Sequence, residues 1–326
     1  MIISKTPLRV SFFGGGTDLP EHFSRHGGSV LGTAIDKFVY ISASRFPSEL
    51  FDYSVRLAYS KVENVKSVAD IEHAPAREIL KINNINKDIE ISISADLPSF
   101  SGLGSSSSFT VGMLKAIKAY KNEHIATNVL AREAIRIERD VLKEAVGFQD
   151  QAFAAFGGFN IIEFSGQDRM RVERVSLSAD REQELKSHLM MFYTGITRKA
   201  QGIEKTKIAN IDSLSVRLTA MRHMVDDAHT VLTSQASLTR FGELLHSSWL
   251  EKRQLASEVS NSIIDEMYAQ AQSAGAIGGK LLGAGGGGFM LFFVPPECQP
   301  AVKIALARYH EITFNINAAG STIIHS

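Results

Sequence analysis

The chain has 326 residues, 44% of them hydrophobic, and its 35 basic side chains balance 35 acidic ones. This length can form two moderate domains with real cores, and the absence of a basic excess argues against nucleic acid as a partner. Cys298 is the single cysteine, which excludes an intrachain disulfide and a cysteine-based zinc site. Because no apolar run approaches the roughly 20 residues of a membrane helix, we expect a soluble, cytoplasmic protein with no membrane partner.

Strand and helix patterns alternate in the first half of the chain. Apolar runs and period-2 alternation predict strands over residues 10–13, 38–43, 55–59, 89–95 and 157–164. Apolar residues at helical spacing predict helices over residues 108–120 and 128–145, the second of them ended by Gly147. A turn is predicted over residues 166–171.

The second half is predicted to be mostly helical at first. The predicted elements are helices over residues 213–233, 239–259 and 262–274, a glycine cluster at 278–288, a strand at 289–294, a helix at 300–309 and a strand at 312–317. A polar stretch at residues 178–184 interrupts the pattern. We therefore predict two domains, residues 1–180 and residues 181–326.

The glycine- and serine-rich segment Pro98–Ser108 lies between a predicted strand and a predicted helix. The first N–H groups of a helix have no intrahelical partner and favour an anion, and Gly102 and Gly104 let the backbone approach a phosphate closely. A flexible loop with a serine helix cap is the alternative. No Gly-Lys-Ser/Thr sequence ends the segment, so it is not a Walker A motif.

A second glycine run, Gly283–Gly288, fits the pattern GxGxxG. A dinucleotide fingerprint requires a strand before the glycines and a helix after them. Here the predicted order is a helical segment before and a strand after, so we exclude a nicotinamide cofactor. The run instead allows close approach of a loop or ligand, or tight packing between domains.

A third segment, Pro7–Asp18, joins an apolar strand to a glycine loop. In this order, Pro7–Asp18, Pro98–Ser108 and Lys280–Gly288 resemble the motifs of the GHMP kinase superfamily. The resemblance covers nearly the whole chain. It implies an α+β fold with an N-terminal domain similar to the second domain of ribosomal protein S5 and a ferredoxin-like C-terminal domain. ATP, with Mg²⁺ as cofactor, and the sugar would meet in the cleft between them.

Details of the sequence are similar to one branch of this superfamily. Phe13–Pro20 resembles the start of heptose 7-phosphate kinases and fucokinase domains, with glycines where galactokinases carry Glu and His. Phe192–Arg198 and Trp249–Arg253 resemble the heptose-kinase group, and the compact length favours it over fucokinases. The resemblance implies ATP-dependent phosphorylation of the anomeric hydroxyl of a small sugar phosphate, D-glycero-D-manno-heptose 7-phosphate, by a monomer or homodimer. A fucose or arabinose kinase and a non-catalytic sugar sensor are the alternatives.

The resemblance also implies roles for single residues. Asp150 would take the proton of the acceptor hydroxyl and Arg9 would stabilise charge on the transferred phosphoryl group, although a structural turn and an exposed strand are their alternatives. Glu138 would hold Mg²⁺ with Ser105 or Ser106, unless it only pairs with a neighbouring arginine. The residues expected to bind ATP are Pro98, Ser101, Gly102, Leu103, Gly104, Ser105, Ser106 and Ser107.

Recognition of the sugar is the least determined part of the resemblance. The residues expected to contact the sugar are Thr17, Asp18, Gly28, Ser29, Gly285 and Gly286. A distal phosphate requires cations, and the candidates are Arg198, Lys252 and Arg253, because guanidinium groups match phosphate oxygens. A solvated surface position is the alternative for each of these cations.

Overall fold

The computed structural model describes residues 1–99, 101–166, 169–197 and 201–326. The strands are β1 Ile2–Phe13, β2 Gly28–Arg45, β3 Val55–Ala58, β4 Val62–Val65, β5 Ile89–Ala95, β6 Phe159–Ser165, β7 Arg169–Arg174, β8 Leu189–Tyr193, β9 Gly278–Leu281, β10 Phe289–Phe293, β11 His310–Ile312 and β12 Thr322–His325. The α-helices are α1 Pro20–His26, α2 Ala74–Ile82, α3 Ser105–Tyr120, α4 Thr127–Arg136, α5 Gln149–Phe156, α6 Ala179–Ser187, α7 Gln201–Ala209, α8 Ile211–Thr233, α9 Thr239–Arg253, α10 Ser262–Ser273 and α11 Gln299–Ala305.

The first sheet is organised around the long strand β2. Its strand order is β12-β1-β2-β5-β3-β4, and β6 and β7 extend it from the first part of β2. Residues 28–33 of β2 pair with β6, whereas residues 39–45 pair with β5. Helix α3 packs on β1 and β2 and is buried over most of its first three turns, so its N-terminus is held at a fixed position above the sheet.

The second sheet has the order β11-β8-β10-β9, with antiparallel neighbours. Counted within this sheet the order is 4-1-3-2, which is the ferredoxin-like arrangement. All five residues of β10 are buried, and they alternate between two cores. Leu291 and Phe293 pack in the core shared with the first sheet, whereas Met290 and Phe292 pack with α10. The predicted α+β fold with a ferredoxin-like second half is confirmed.

The last strand returns to the first sheet. β12 pairs antiparallel with β1, with Lys5 opposite Thr322, and isolated bridges join Ile35 to Ile316 and Gly157 to Ala319. The N-terminal sheet is therefore completed by residues near the end of the sequence. The division between residues 180 and 181 stays a prediction, to which the structure adds this returning segment.

Four element predictions were wrong in detail. The turn predicted over residues 166–171 is replaced from Arg169 onward by the strand β7. The helix predicted over residues 128–145 is α-helical only to Arg136 and continues as a π-turn, Ile137–Val141. It stops before Lys143, whose left-handed φ of 56° no helix continues through. The strand β9, not a helix, directly precedes Gly283–Gly288, so the glycines join two antiparallel strands. The strand predicted over 312–317 lies at His310–Ile312 instead.

Other predicted elements are present with shifted ends. α3 begins three residues earlier than predicted, at Ser105, because Gly104 takes a left-handed φ of 76° and turns the chain into the helix. Among the described residues, no helix combines the length and the apolar composition that crossing a membrane requires.

Candidate active site

Arg9, on β1, is almost completely buried, with 4% of its surface exposed. Its Nε and Nη2 donate hydrogen bonds to Oδ1 and Oδ2 of Asp150 at 2.8 and 2.9 Å. Asp150 lies in the first turn of α5 and keeps 27% of its side chain exposed. The two predicted catalytic residues are thus joined in a bidentate pair that fixes the carboxylate and leaves it open to a ligand.

The loop before α3 is tied to this pair. Arg9 also donates from Nη1 to the carbonyl oxygen of Gly102 at 2.6 Å and from its backbone N–H to that of Leu103 at 3.0 Å. A Cβ on Gly104 would lie 3.3 Å from Oδ2 of Asp150. The N–H groups of residues 105–107 precede the first intrahelical hydrogen bond of α3. A helix N-terminus with free N–H groups, an arrangement that favours an anion, therefore lies beside the Arg9–Asp150 pair.

The remaining loop residues predicted to contact ATP lie around this opening. Ser101 is buried and its Oγ donates to the carbonyl oxygen of Pro98 at 2.6 Å, which closes the turn at the exposed start of the loop. Ser105–Ser107 form the first turn of α3, in which Ser105 is buried and Ser106 is exposed. The exposed Ser106 hydroxyl and the backbone of this turn are thus the parts of the segment turned outward.

The third glycine motif packs backbone against backbone on the same loop. A Cβ on Gly283 would lie 2.5 Å from Cα of Gly102, and a Cβ on Gly288 would lie 2.2 Å from the carbonyl oxygen of Ser101. No side chain fits into either contact, so the motif serves the close approach of a second loop. The two glycine-rich segments therefore form one interlocked unit across the two sheets.

The glycines predicted to bind the sugar in this motif contact a third segment. A Cβ on Gly285 would lie 2.7 Å from Cα of Val259, and the N–H of Gly286 donates to the carbonyl oxygen of Val259 at 2.9 Å. Packing against Val259 accounts for Gly285, and a left-handed φ of 79° accounts for Gly286, both without a ligand. Their contact with a sugar stays a prediction.

Asp18 lies next to Asp150 and is 3% exposed. Its Oδ1 accepts hydrogen bonds from the Gly16 N–H and the Gln149 Nε2, and its Oδ2 accepts from the Gln149 N–H, at 3.0–3.1 Å. A Cβ on Gly147 would lie 1.9 Å from Asp18 Oδ2, so this glycine makes room for the carboxylate. Burial, and secondarily the charge of Asp150, raise the pKa of Asp18 to about 6.

Thr17, Gly28 and Ser29 form the support of the first glycine loop. Thr17 is fully buried, and its hydroxyl hydrogen-bonds with the carbonyl oxygens of Gly14 and Ser29 and with the Ser29 N–H at 2.8–3.1 Å. A Cβ on Gly28 would lie 2.0 Å from the carbonyl oxygen of Thr17. The structure therefore places Thr17 and Gly28 in the backbone scaffold that carries Asp18.

Glu138 lies in the π-turn and is 1% exposed. Its Oε2 accepts hydrogen bonds from Ser107 Oγ at 2.9 Å and Gln151 Nε2 at 2.5 Å, whereas its Oε1 is buried with no partner among the described residues. Burial raises the pKa of this carboxyl to about 7. The predicted alternative of a surface ion pair is wrong, because the side chain points into the protein.

Three buried lysines surround the third glycine motif, near Arg9. Each donates from Nζ to backbone carbonyl oxygens: Lys207 to Ala284 at 3.0 Å, Lys252 to Leu281 at 2.6 Å and Gly283 at 2.5 Å, and Lys280 to Phe12 at 2.6 Å. Burial, reinforced by the neighbouring cations, lowers the pKa of Lys280 to about 7 and that of Lys252 well below its usual value. Lys207 also pairs with Glu204 at 3.0 Å. An anion bound nearby would favour the charged forms of Lys252 and Lys280.

The predicted phosphate-binding cations are not gathered at one point. Lys252 is occupied by the two carbonyl groups named above, and Arg253 pairs with Asp265 at 2.9 Å while its guanidinium lies 5.9 Å from the centre of the Trp249 ring. Arg198 lies outside the described residues. Gln149, Gln151, Lys207 and Lys280 are site residues that sequence reasoning missed, although the two glutamines directly flank the predicted Asp150.

Comparison with known proteins agrees with this geometry. The models for the GHMP kinase N-terminal and C-terminal domains match residues 65–158 and 232–310. The D-glycero-alpha-D-manno-heptose 7-phosphate kinase of Campylobacter jejuni is 32% identical over 90% of both chains. The L-fucokinase/L-fucose-1-P guanylyltransferase of Bacteroides fragilis is 25% identical over 93% of this chain but only 35% of the relative.

A solved structure shows the same fold over the complete chain. The D-glycero-D-manno-heptose 1-phosphate kinase of Bacteroides thetaiotaomicron superposes with a TM-score of 0.81 at 24% identity and with full coverage of both chains. The bidentate Arg9–Asp150 pair, the anion-binding loop and these relatives lead to one assignment. The chain belongs to the GHMP kinase family of ATP-dependent phosphotransferases.

Proposed function

We propose that this enzyme is a sugar kinase that transfers the γ-phosphoryl group of ATP to the anomeric hydroxyl of D-glycero-D-manno-heptose 7-phosphate, giving the 1,7-bisphosphate. The observation that carries the proposal is the bidentate Arg9–Asp150 pair, which Arg9 ties to the phosphate loop through its hydrogen bond to the carbonyl oxygen of Gly102. The choice of sugar is supported by the identity to the Campylobacter jejuni heptose kinase. The cytoplasmic location and a monomeric or homodimeric state stay predictions.

In the proposed reaction, Asp150 accepts the proton of the anomeric hydroxyl of the sugar. The oxygen of that hydroxyl forms a bond to the γ-phosphorus, and ADP leaves with the electron pair of the broken P–O bond. Arg9 holds the carboxylate in place through two hydrogen bonds and contributes positive charge where the phosphoryl group passes. The N–H groups of residues 105–107 donate hydrogen bonds to the phosphate oxygens. No phosphorylated enzyme is involved.

Mg²⁺ fits the residues around Glu138. The buried Oε1 of Glu138 lacks a partner among the described residues, and a carboxylate oxygen in that state is a ligand that Mg²⁺ prefers. Ser107, rather than the predicted Ser105 or Ser106, makes the hydroxyl contact with Glu138. Mg²⁺ commonly binds through one or two carboxylates with nucleotide phosphates completing its shell, and it would neutralise charge on those phosphates.

A second candidate is a kinase for an unphosphorylated sugar such as fucose. The observation that favours it is the 25% identity to the fucokinase of Bacteroides fragilis over 93% of the chain. A non-catalytic sugar sensor is disfavoured because the carboxylate and the cation needed for phosphoryl transfer are both present and paired.

The test is a panel of acceptors with ATP and Mg²⁺, comprising heptose 7-phosphate, the same heptose without phosphate, L-fucose, D-arabinose, galactose and mevalonate. We expect kcat/KM for heptose 7-phosphate to exceed the others by at least about 100-fold, with a new phosphorus NMR signal coupled to the anomeric proton. Efficient turnover of free fucose, with none of heptose 7-phosphate, would refute the proposal.

A further inference from the structure

A phosphate on the acceptor needs a cation that the protein does not already use. Of the predicted candidates, Lys252 donates to two carbonyl groups and Arg253 pairs with Asp265. A guanidinium that is already paired gains less from a phosphate, because the existing partner must be released first. The cation that binds the acceptor phosphate should therefore be an unpaired one near the loop that carries Asp18.

Arg222, on α8, meets this requirement. Among the described residues it makes no hydrogen bond and no ion pair, and its Nε is buried without a partner. Arg217, on the same helix, is different, since it pairs with Glu251 at 2.8 Å. A partly buried guanidinium without an acceptor carries a desolvation penalty, which an anionic ligand would remove.

The helix directs Arg222 toward the first glycine loop. Leu218, Arg222 and Val225 are spaced by four and three residues and share one face of α8. The two flanking side chains touch the loop, because Leu218 lies 3.3 Å from the Cβ position of Gly16 and Val225 lies 2.9 Å from that of Gly14. Arg222 therefore lies on the face of α8 whose neighbouring residues pack against the first glycine loop.

The guanidinium ends beside the segment that supports this loop. Its Cζ lies 3.9 Å from the Cβ position of Gly27. The next residues, Gly28 and Ser29, are locked to Thr17 by the contacts described above, and Thr17 immediately precedes Asp18. Arg222 and the sugar-binding loop are thus connected through one short run of backbone.

Two histidines complete the surroundings of Arg222. His22 is 1% exposed, both of its ring nitrogens lack partners among the described residues, and its ring centre lies 5.1 Å from that of His26. Burial, with His26 and Arg222 nearby, lowers the pKa of His22 to about 4, so its ring is neutral and can donate one N–H at neutral pH. The adjacent Glu21 is turned toward Arg139 at 2.6 Å.

We propose that Arg222, with His22 and His26 beside it, forms the subsite for the distal phosphate of the acceptor. The subsite rests on the proposed function, in which the acceptor is a sugar phosphate. It explains why a buried histidine and a partly buried arginine lie together without an acceptor. It also assigns the choice between phosphorylated and free sugars to α1 and α8, outside the three glycine motifs.

The test compares Arg222→Gln and Arg222→Lys with the wild type on heptose 7-phosphate and on the same heptose without phosphate. For Arg222→Gln we expect kcat/KM for the phosphorylated acceptor to fall roughly 100-fold through KM, as expected for lost charged hydrogen bonds. The free heptose and the KM for ATP should be unchanged. Arg222→Lys keeps the positive charge but loses the bidentate donors of the guanidinium, and kcat/KM for the phosphorylated acceptor should fall about tenfold.

Arg217→Gln is the matched control, since it removes a paired, 42% exposed arginine from the same helix and should change neither acceptor. An equal loss on both acceptors, or an unchanged KM for the phosphorylated one, would overturn the subsite while leaving the proposed function intact. A wild type that does not prefer the phosphorylated acceptor would overturn the proposed function itself. If thermal denaturation shows that Arg222→Gln is unfolded, the comparison of the two acceptors is made with Arg222→Lys instead.

Discussion

The Arg9–Asp150 pair and the surroundings of Arg222 differ in how far their polar groups are already paired. At the transfer end, made of Arg9, Asp150 and the loop 102–107, the charged groups are paired and glycines interlock the backbone. At the proposed acceptor end, which we place around Asp18 with Ser11, Gly15, Gln149 and Arg222, several polar atoms lack partners: Ser11 Oγ, Gln149 Oε1 and Arg222 Nε are buried and unpaired among the described residues.

This difference has a physical reason. The phosphoryl-transfer step is the same whichever acceptor is bound. It is faster when the charged groups are fixed before the substrate arrives. Selection of the acceptor depends on groups whose hydrogen bonds only the correct ligand completes, because a wrong ligand leaves them unpaired at a cost. Preorganisation at one end and unsatisfied groups at the other are therefore what a selective kinase needs.

The largest expected effect is at the transfer end. Asp150→Asn keeps the shape of the side chain but removes the base, so we expect kcat to fall about 1,000-fold or more. ATP binding, measured by calorimetry, should change by less than about threefold. Asp212→Asn, which removes an exposed ion pair with Arg25, is the control and should leave kcat and ATP binding unchanged. A variant that retains wild-type kcat would contradict the assigned role of Asp150.

Glu138→Gln tests the proposed metal ligand. We expect the Mg²⁺ concentration for half-maximal activity to rise by roughly 10- to 100-fold, since a neutral amide is a poor ligand for a hard cation. Glu243→Gln, an exposed position on α9, should leave the Mg²⁺ dependence unchanged. Wild-type dependence in Glu138→Gln would refute the metal role.

The same variant makes a prediction about stability. The pKa of Glu138 is raised to about 7 in the folded protein, so the folded state holds a proton that the unfolded state loses near 4.5. Without Mg²⁺, the free energy of unfolding of the wild type should therefore decrease as the pH rises from 4.5 through 7, whereas that of Glu138→Gln should lack this decrease. The limit is about 3 kcal/mol, from the size of the pKa shift. Thermal melting across this range checks it, and a flat difference would contradict it.

The smallest effect tests the acceptor end. Gly15 has no positive φ, and an added Cβ would make only ordinary contacts with Ser11 Oγ at 3.7 Å and Gln149 Nε2 at 3.8 Å. Gly15→Ala should thus fold normally or gain up to about 1 kcal/mol. If the sugar binds between Ser11 and Gln149, as we propose, the methyl group would take part of its space, and we expect the acceptor KM to rise about tenfold with an unchanged KM for ATP.

Gly202→Ala, on α7, is the control, because its added Cβ would meet nothing within 4 Å. It should gain similar stability and leave both KM values unchanged. If Gly15→Ala also leaves the acceptor KM unchanged, the sugar does not use the space between Ser11 and Gln149.

Much of the transfer end was predictable because its groups sit in contiguous motifs. The positions of Arg9 and Asp150 followed from the family resemblance, but their pairing spans 141 residues of sequence and required the fold. The contact of Glu138 with Ser107 rather than Ser105 or Ser106 depends on where α3 begins and on the π-turn. The helical spacing of apolar residues over 128–145 conceals that turn, since a π-turn shifts the helix register without changing the residue types.

The acceptor end was much less predictable. A single arginine or histidine within a helix carries no signal of being unpaired, so nothing singled out Arg222 or His22. Burial of Lys280 could not be predicted either, because lysines are usually exposed and this one lies in a short glycine-rich strand. That strand, β9, lacks apolar alternation and forms by pairing with the strongly apolar β10.

The return of β12 to the first sheet has a consequence for synthesis of the protein. β1 carries Arg9, and its outer edge is covered by residues 322–325, which leave the ribosome last among the strands of this sheet. At a synthesis rate of about 5–20 residues per second, the edge of β1 stays unpaired for roughly 15 to 60 seconds before β12 is made. An uncovered strand edge is a template for wrong pairing, so the nascent chain is exposed to aggregation at the strand that bears its phosphoryl-transfer arginine.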